Sequence, residues 1–496
     1  MFELFSNVYQ DLVGDSLSDK ERSRDLTTVW ERYHEEGEGF FTKTLPLLGK
    51  AADKALAQGT PLQTTAFSRR PKSQLPRFLG GLFAVVFNDD GLQRQLQSDE
   101  CREAAVRALK ALRQLCFLYY KKEHEPTNEQ TEQILREFVA TDRGLPDDFR
   151  HLSSHHLAVL NLARNIIHEV LCGADPKGGI PRHGPGAVST GERRSEKDQF
   201  KRIYKALVAE YPLDEWFFFN QSHVCDSYRE LGQWKELEAG TAKVVLVPKD
   251  SRGPRLISCE PLEYQWIQQS QMSVLVQHLE RHPYTRGRVN FTDQTVNQRL
   301  AAIGSIANEW ETLDLSEASD RVSLALVRHL FPENWLRALE ASRSHATKLP
   351  DGRVVHLKKF APMGSAVCFP VEALIFWSLC VAVQCARGHE TRKRIMHETY
   401  VYGDDIIVRR GNHAAIDDVF TSVGLKLNAS KCCVADTHFR ESCGFDAFYG
   451  EKVTPLRWRA TSNIVSARNL ASSVAFSNAA WEQGWVRTAR FLEERV

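Results

Sequence analysis

The chain has 496 residues, 42% apolar and 26% charged, with 64 Lys+Arg against 63 Asp+Glu and a net charge of +1. At roughly 150 residues per domain, this length predicts about three compact units, and the composition excludes wholesale disorder. Near-neutrality excludes a globally basic nucleic-acid coat, but not nucleic-acid binding by locally segregated charge. The eleven cysteines include no CxxC and are expected as reduced thiols rather than a disulfide framework. Cys432, Cys433, His438 and Cys443 match no common zinc spacing. Adjacent cysteines in a strand point to opposite faces, so small buried side chains are expected there.

Residues 1–15 (MFELFSNVYQDLVGD) lack a basic stretch followed by an apolar run, so no signal peptide is expected. Residues 1–240 read as mainly helical. Over 100–119, for example, Ala104, Val106, Leu109, Leu112 and Leu115 recur at helical spacing. Turn clusters interrupt this half at 68–72 and 178–191. Two basic groups are candidate RNA contacts: Arg69, Arg70, Lys72 and Arg77, then Arg193, Arg194, Lys197, Lys201 and Arg202.

From residue 241 the texture becomes mixed, with short apolar runs at 243–247 and 399–402 predicting strands between helices. The segment KVVLVPKDSRGPR carries Lys243, Lys249, Arg252 and Arg255, and its turn at 248–254 is expected to break the strand. Arginine forks and lysine point charges suit phosphate oxygens, so the segment is a candidate triphosphate site. The most apolar stretch, 366–385, contains Pro370, Glu372, Ser378 and Gln384, and reads as a core helix rather than a membrane span.

The sharpest segment is YVYGDDIIV at 400–408. Apolar runs flanking Gly403-Asp404-Asp405 predict a β-hairpin with two carboxylates at its tip. A second acidic site is LDLSEASD at 313–320. A strand over 311–315 would end near Asp314, with Ser316 or Ser319 capping the following helix. That helix would bury Val322, Ala325, Leu326, His329 and Leu330. If Asp314 lies opposite Asp404, carboxylates converge. At 4 Å two such charges repel by roughly 4 kcal/mol at an effective dielectric of 20. Such a cluster must protonate or hold cations, and hard oxygen ligands select Mg²⁺ or Mn²⁺.

These residues resemble the right-hand, template-dependent polymerases. The ordered set HGPGA (183–187), VPK (247–249), NFTDQTVNQR (290–299), DLSEASDRVSL (314–324), VYGDDII (401–407) and FRESCG (439–444) is more specific. It resembles the catalytic (beta) subunit of the levivirus RNA-directed RNA polymerase, from single-stranded RNA bacteriophages. The resemblance spans about 180–460 and implies an α+β right hand of fingers, antiparallel palm and short thumb behind a helix-rich N-terminal half.

The implied segments are 1–240 (helical region and part of the fingers), 241–300 (fingers strands with the NTP-binding motif), 301–455 (palm) and 456–496 (truncated or minimal thumb). Asp314, Asp404 and Asp405 would hold two Mg²⁺ ions, with Mn²⁺ an alternative, and Lys431 would protonate leaving pyrophosphate. Lys249, Arg252 and Arg255 would clamp the triphosphate, and Asp320 would recognise the ribose 2′-hydroxyl. Gly364 and Ser365 would contact sugar or template.

Two features depart from the pattern. Met363-Gly364-Ser365-Ala366 stands where the family usually has Met-Gly-Asn-Gly, offering a hydroxyl for an amide. Only 91 residues follow Asp405 (496 minus 405), short for a full thumb. The resemblance also implies an RNA template and product, NTPs, host elongation factors Tu and Ts, a ribosomal protein, and the cytoplasm of a bacterial host. The alternatives are a reverse transcriptase-like palm, which Asp320 disfavours, and a non-catalytic RNA-binding relic, which the intact acidic set disfavours.

Overall fold

The computed structural model describes residues 1–388, 390–459 and 466–495 and is a mixed helix-and-sheet protein. The segment expected as a thumb includes 460–465 and 496, which lie outside the described residues. The N-terminal part is helical, as its periodicity predicts. The helix Asp99–Phe117 starts at the Ser98 cap and buries Ala105, Leu109, Leu112 and Leu115. Packing follows a grouping that local patterning cannot reveal. Apolar side chains from Leu4 to Tyr120 share one core with Cys433, Phe439, Phe448, Trp458, Phe476 and Leu492. Residues from the segments expected as helical region, palm and thumb therefore contribute to one core.

A second core surrounds the helix Cys368–Ala386. Among the described residues this helix alone is long and apolar enough to cross a membrane by composition, and 89% of its apolar window is buried inside the protein. It is a core helix, as expected. Its flank carries the central sheet, in which Trp310–Leu313 and Tyr400–Tyr402 both pair antiparallel with Asp405–Arg409. Arg440, fully buried, donates to the carbonyls of Trp310 (2.7 Å) and Thr437 (3.0 Å), tying the strand Phe439–Ser442 to that sheet.

Cys432 packs in one core and Cys433 in the other, the opposite-face arrangement expected of neighbours on an extended segment. All eleven cysteines are free.

Two local expectations are corrected. The strand Thr241–Asp250 runs through Pro248, because a register shift between Val247 and Asp250 absorbs the missing N–H. The turn is confined to Ser251 and Arg252, after which Gly253–Cys259 pairs back antiparallel. Beyond Asp314, neither Ser316 nor Ser319 caps a continuous helix. Glu317 takes a left-handed backbone (φ 52°) before a short turn, Ala318–Arg321. Ser323 then caps Leu324–Leu330 by accepting from the Leu326 N–H at 3.0 Å.

Candidate active site

The acidic hairpin has the expected two-residue loop, with Tyr402 paired to Asp405 across Gly403 and Asp404. Gly403 has φ 63°, and a Cβ there would meet the Phe369 ring at 2.0 Å. Glycine is therefore required twice, for conformation and for the close approach of the aromatic ring. Leu313 pairs with Ile406, so Asp314 leaves its strand beside the start of the Asp405 strand.

The electrostatics follow from this convergence. Burial raises the Asp404 carboxyl above the usual range, and Asp314 raises it further, while Lys431 and Arg255 oppose the shift. Asp405 is raised by burial and then by Asp404 and Asp314. Two carboxylates not singled out from sequence join the cluster. Glu441 is raised by burial and by Asp405. Glu372, on the core helix, is raised by burial, then by Asp404 and Asp320. The signal for Glu372 was in the sequence, as a lone carboxylate inside an apolar helix.

Asp314 is firmly held. Its Oδ2 accepts from Lys431 Nζ at 2.7 Å and its Oδ1 from Asn428 Nδ2 at 3.1 Å. Burial pulls the Lys431 ammonium down, but Asp314, Glu441 and Asp404 together outweigh that and the net shift is upward. Asp320 Oδ1 accepts from Lys359 Nζ at 3.0 Å. Lys359 is fully buried over the Phe138 ring at 3.6 Å, a partner that spacing along the chain could not reveal.

The expected cationic trio divides. Lys249 and Arg255 are exposed and make no hydrogen bond or ion pair among the described residues, and Arg255 acts on Asp404. Arg252 instead forks onto Asp250, with Nε–Oδ1 2.9 Å and Nη2–Oδ2 2.8 Å. Asp250 is buried and is held down at about 2, with burial opposing and Arg252 prevailing.

The loop at 363–366 is stitched to the same hairpin, since the Ser258 N–H donates to the Met363 carbonyl at 2.8 Å. Gly364 has φ 128°, and a Cβ there would meet the Ser258 carbonyl oxygen at 2.2 Å. Ser365 is buried, and its hydroxyl donates to Gln268 Oε1 at 3.1 Å rather than pointing free.

The second candidate RNA patch is partly structural. Lys197 is buried and donates to the carbonyls of Gly184 (2.7 Å) and Gly186 (2.5 Å). Arg202 pairs with Glu192 at 2.6 Å and Glu263 at 3.1 Å.

The donor set fits a hard divalent cation. Asp314, Asp404 and Asp405 offer carboxylate oxygens, and the upward shifts of the last two are the electrostatic demand a cation answers. Among the described residues no three Asp, Glu, His or Cys side chains stand grouped as a ready cage. An ion bound there would share Asp314 with Lys431.

Comparison with known proteins agrees with the family resemblance. The family described as RNA replicase, beta-chain, matches residues 143–470. The RNA-directed RNA polymerase subunit beta of Qbeta virus (strain MX1) is 36% identical over 318 residues, covering 63% of this chain and 50% of that protein. Its counterpart from Enterobacteria phage SP is 40% identical over 213 residues, covering 43% of this chain and 35% of that one. The RNA-directed RNA polymerase beta chain of Escherichia phage MS2 is 32% identical over 212 residues, covering 43% and 36%. The chain thus spans half or less of the length of these relatives. A solved structure described as an RdRp complex overlaps 90% of this chain and 44% of its own, with a TM-score of 0.49 and 11% identity. With a family match over more than half its residues, the chain belongs to the RNA replicase beta-chain family.

Proposed function

We propose that this chain is the catalytic part of an RNA-directed RNA polymerase that replicates a single-stranded RNA phage genome. In this reading it has a right-hand arrangement, with a palm around 301–455. The observation that carries the reading is the convergence of Asp314, Asp404 and Asp405 at one end of a sheet, under the influence of Arg255 and Lys431.

Asp314 and Asp404, with Asp405 assisting, are the residues that would hold divalent ions. When bound, two Mg²⁺ or Mn²⁺ ions supply Lewis acidity for an attacking 3′-hydroxyl and charge neutralisation for leaving pyrophosphate. Lys249 and Arg255, free of internal partners, bind the triphosphate oxygens. Lys431 Nζ holds the proton that leaving pyrophosphate takes up, and its raised pKa keeps it charged at neutral pH. Asp320, fixed by Lys359, orients toward ribose and distinguishes NTPs from dNTPs through the 2′-hydroxyl. The Gly364–Ser365 loop acts by shape, because the serine hydroxyl is engaged by Gln268.

The reading entails an RNA template and product, NTPs, host elongation factors Tu and Ts with a ribosomal protein, and the cytoplasm of a bacterial host. The test is NTP incorporation on a defined RNA template, comparing the wild type with Asp314→Asn and Asp404→Asn. Synthesis by the wild type and its loss in both variants is the expected result. Exclusive use of dNTPs, or synthesis that survives Asp404→Asn, would sink the reading.

A further inference from the structure

Beside the acidic centre lies a second concentration of charge, assembled from parts of the chain far apart in sequence. Its middle is Tyr120, three residues beyond the helix Asp99–Phe117. Around its ring centroid stand Lys50 Nζ at 4.6 Å, Lys121 Nζ at 5.3 Å, Arg252 Cζ at 5.3 Å and Arg457 Cζ at 6.0 Å.

The negative charge nearby does not balance this group. Asp250 takes the Arg252 fork and lies 3.7 Å from Lys121. Asp53 shares Arg113, at 2.8 Å, with Asp446, at 2.7 Å, and also feels Lys50 and Arg457, which leaves the cations in excess. Lys50 and Arg457 form no hydrogen bond or ion pair among the described residues, and the Arg457 Nε is buried without a partner. The ring faces of one tyrosine cannot hold four cations together, since each cation–π contact is weaker than the repulsion between close like charges. The amines register that excess. Burial first, then Arg457, Lys249 and Arg252, bring Lys121 down to about 8 despite Asp250. Lys50 is likewise lowered, by burial and then by Arg252.

We propose that Lys50, Lys121, Arg252 and Arg457, gathered round Tyr120, form a second anion site that takes the phosphate chain of a nucleotide, or released pyrophosphate. Its shape favours a short polyphosphate over an RNA strand. The cations gather round a single side chain rather than following a line of phosphates. Tyr120 is only 9% exposed, so no base can stack on it as bases do in single-strand grooves. The cluster is also continuous with the catalytic cations, because Lys249 is influenced by both Arg252 and Arg255. Identifying the anion as a nucleotide's phosphates rests on the polymerase reading; the anion site itself does not.

The test is equilibrium dialysis of labelled inorganic pyrophosphate against the full chain, without RNA or divalent ions. In the double variant Lys50→Gln/Lys121→Gln, binding should weaken roughly tenfold, the loss expected for charge-assisted contacts. Lys50→Arg/Lys121→Arg should retain binding, which separates loss of charge from loss of fold. In a competition arm, UTP should displace pyrophosphate and uridine should not.

Unchanged pyrophosphate affinity in the Gln variant overturns the proposal. So does a Gln variant that loses affinity for a short RNA lacking 5′ phosphates while keeping pyrophosphate. If the wild type binds pyrophosphate in this way but incorporates no NTP, the polymerase reading fails and the anion site stands.

Discussion

Two hairpins with the same loop length carry opposite charges. Gly403-Asp404 turns the acidic one and Ser251-Arg252 the basic one, each closed by a strand pair. At the acidic tip the backbone is braced by Phe369, and Asp314 raises the proton affinity of Asp404, which in turn raises that of Asp405. At the basic tip the charge is partly consumed on the spot, because Arg252 is forked by Asp250. That tip is also anchored outward, as Ser251 Oγ donates to the Thr42 carbonyl at 2.7 Å and Gln130 Nε2 donates to the Ser251 carbonyl at 3.1 Å. Written charge and available charge are therefore different quantities. The first hairpin exposes its carboxylates to one another, whereas the second keeps Lys249 and Arg255 free by sacrificing Arg252.

The contrast can be broken most severely at the acidic tip. Asp404→Asn should lower NTP incorporation by roughly 10³-fold, the scale of losing a transition-state electrostatic group, with the melting temperature held or raised because a strained carboxylate is gone. A large loss of stability instead would mean that Asp404 serves the fold.

Next comes the far end of the basic hairpin, where Glu260 is buried and accepts from the Ser344 hydroxyl. Burial raises its carboxyl from 4.5 to about 7. Its folded pKa lies above its unfolded one, so its contribution is complete below pH 4.5 and is lost as pH rises through 7. Between those limits the wild type should lose about 3 kcal/mol relative to Glu260→Gln. Urea titrations of both proteins across that range check it, and parallel curves would refute it.

At the basic tip itself, Arg252→Ala should cost about 2 kcal/mol by stranding buried Asp250, a value reduced because the arginine is half exposed. Arg255→Ala should leave stability unchanged and raise the KM for NTPs roughly tenfold. A reversal of these last two effects would erase the distinction between the tips.

What the sequence discloses is what local chemistry controls. The Gly403 turn, the end of a strand at Asp314 and the helix around Pro370 all follow from turn preference and apolar pattern, and each is found within a residue or two of its expected place. The Asp250–Arg252 fork was also local, an aspartate two residues before an arginine across a tight turn, yet spacing alone favoured reading every cation as available. Other features depend on pairing across long stretches of chain. Lys359 meets Asp320 only through folding, and Glu441 reaches Asp405 because buried Arg440 binds its strand to the sheet. Lys197 and Arg202 looked like surface charge because their partners, Gly184, Glu192 and Glu263, come from other turns of the chain.

The shared core of residues 4–120 and 433–492 also bears on the order of events at the ribosome. The earlier helices cannot bury their apolar faces fully until residues 433–492 have emerged. Roughly 300 residues separate the two sets, which at about 5–20 residues per second is a wait of tens of seconds. During that interval the first helices expose the surface that Phe439, Phe448, Trp458 and Phe476 will cover. Cys432 and Cys433, one facing each core, mark where the late segment closes both at once, immediately after Lys431 reaches Asp314. The core that holds residues 4–120 and the acidic centre thus both wait for the stretch 431–492.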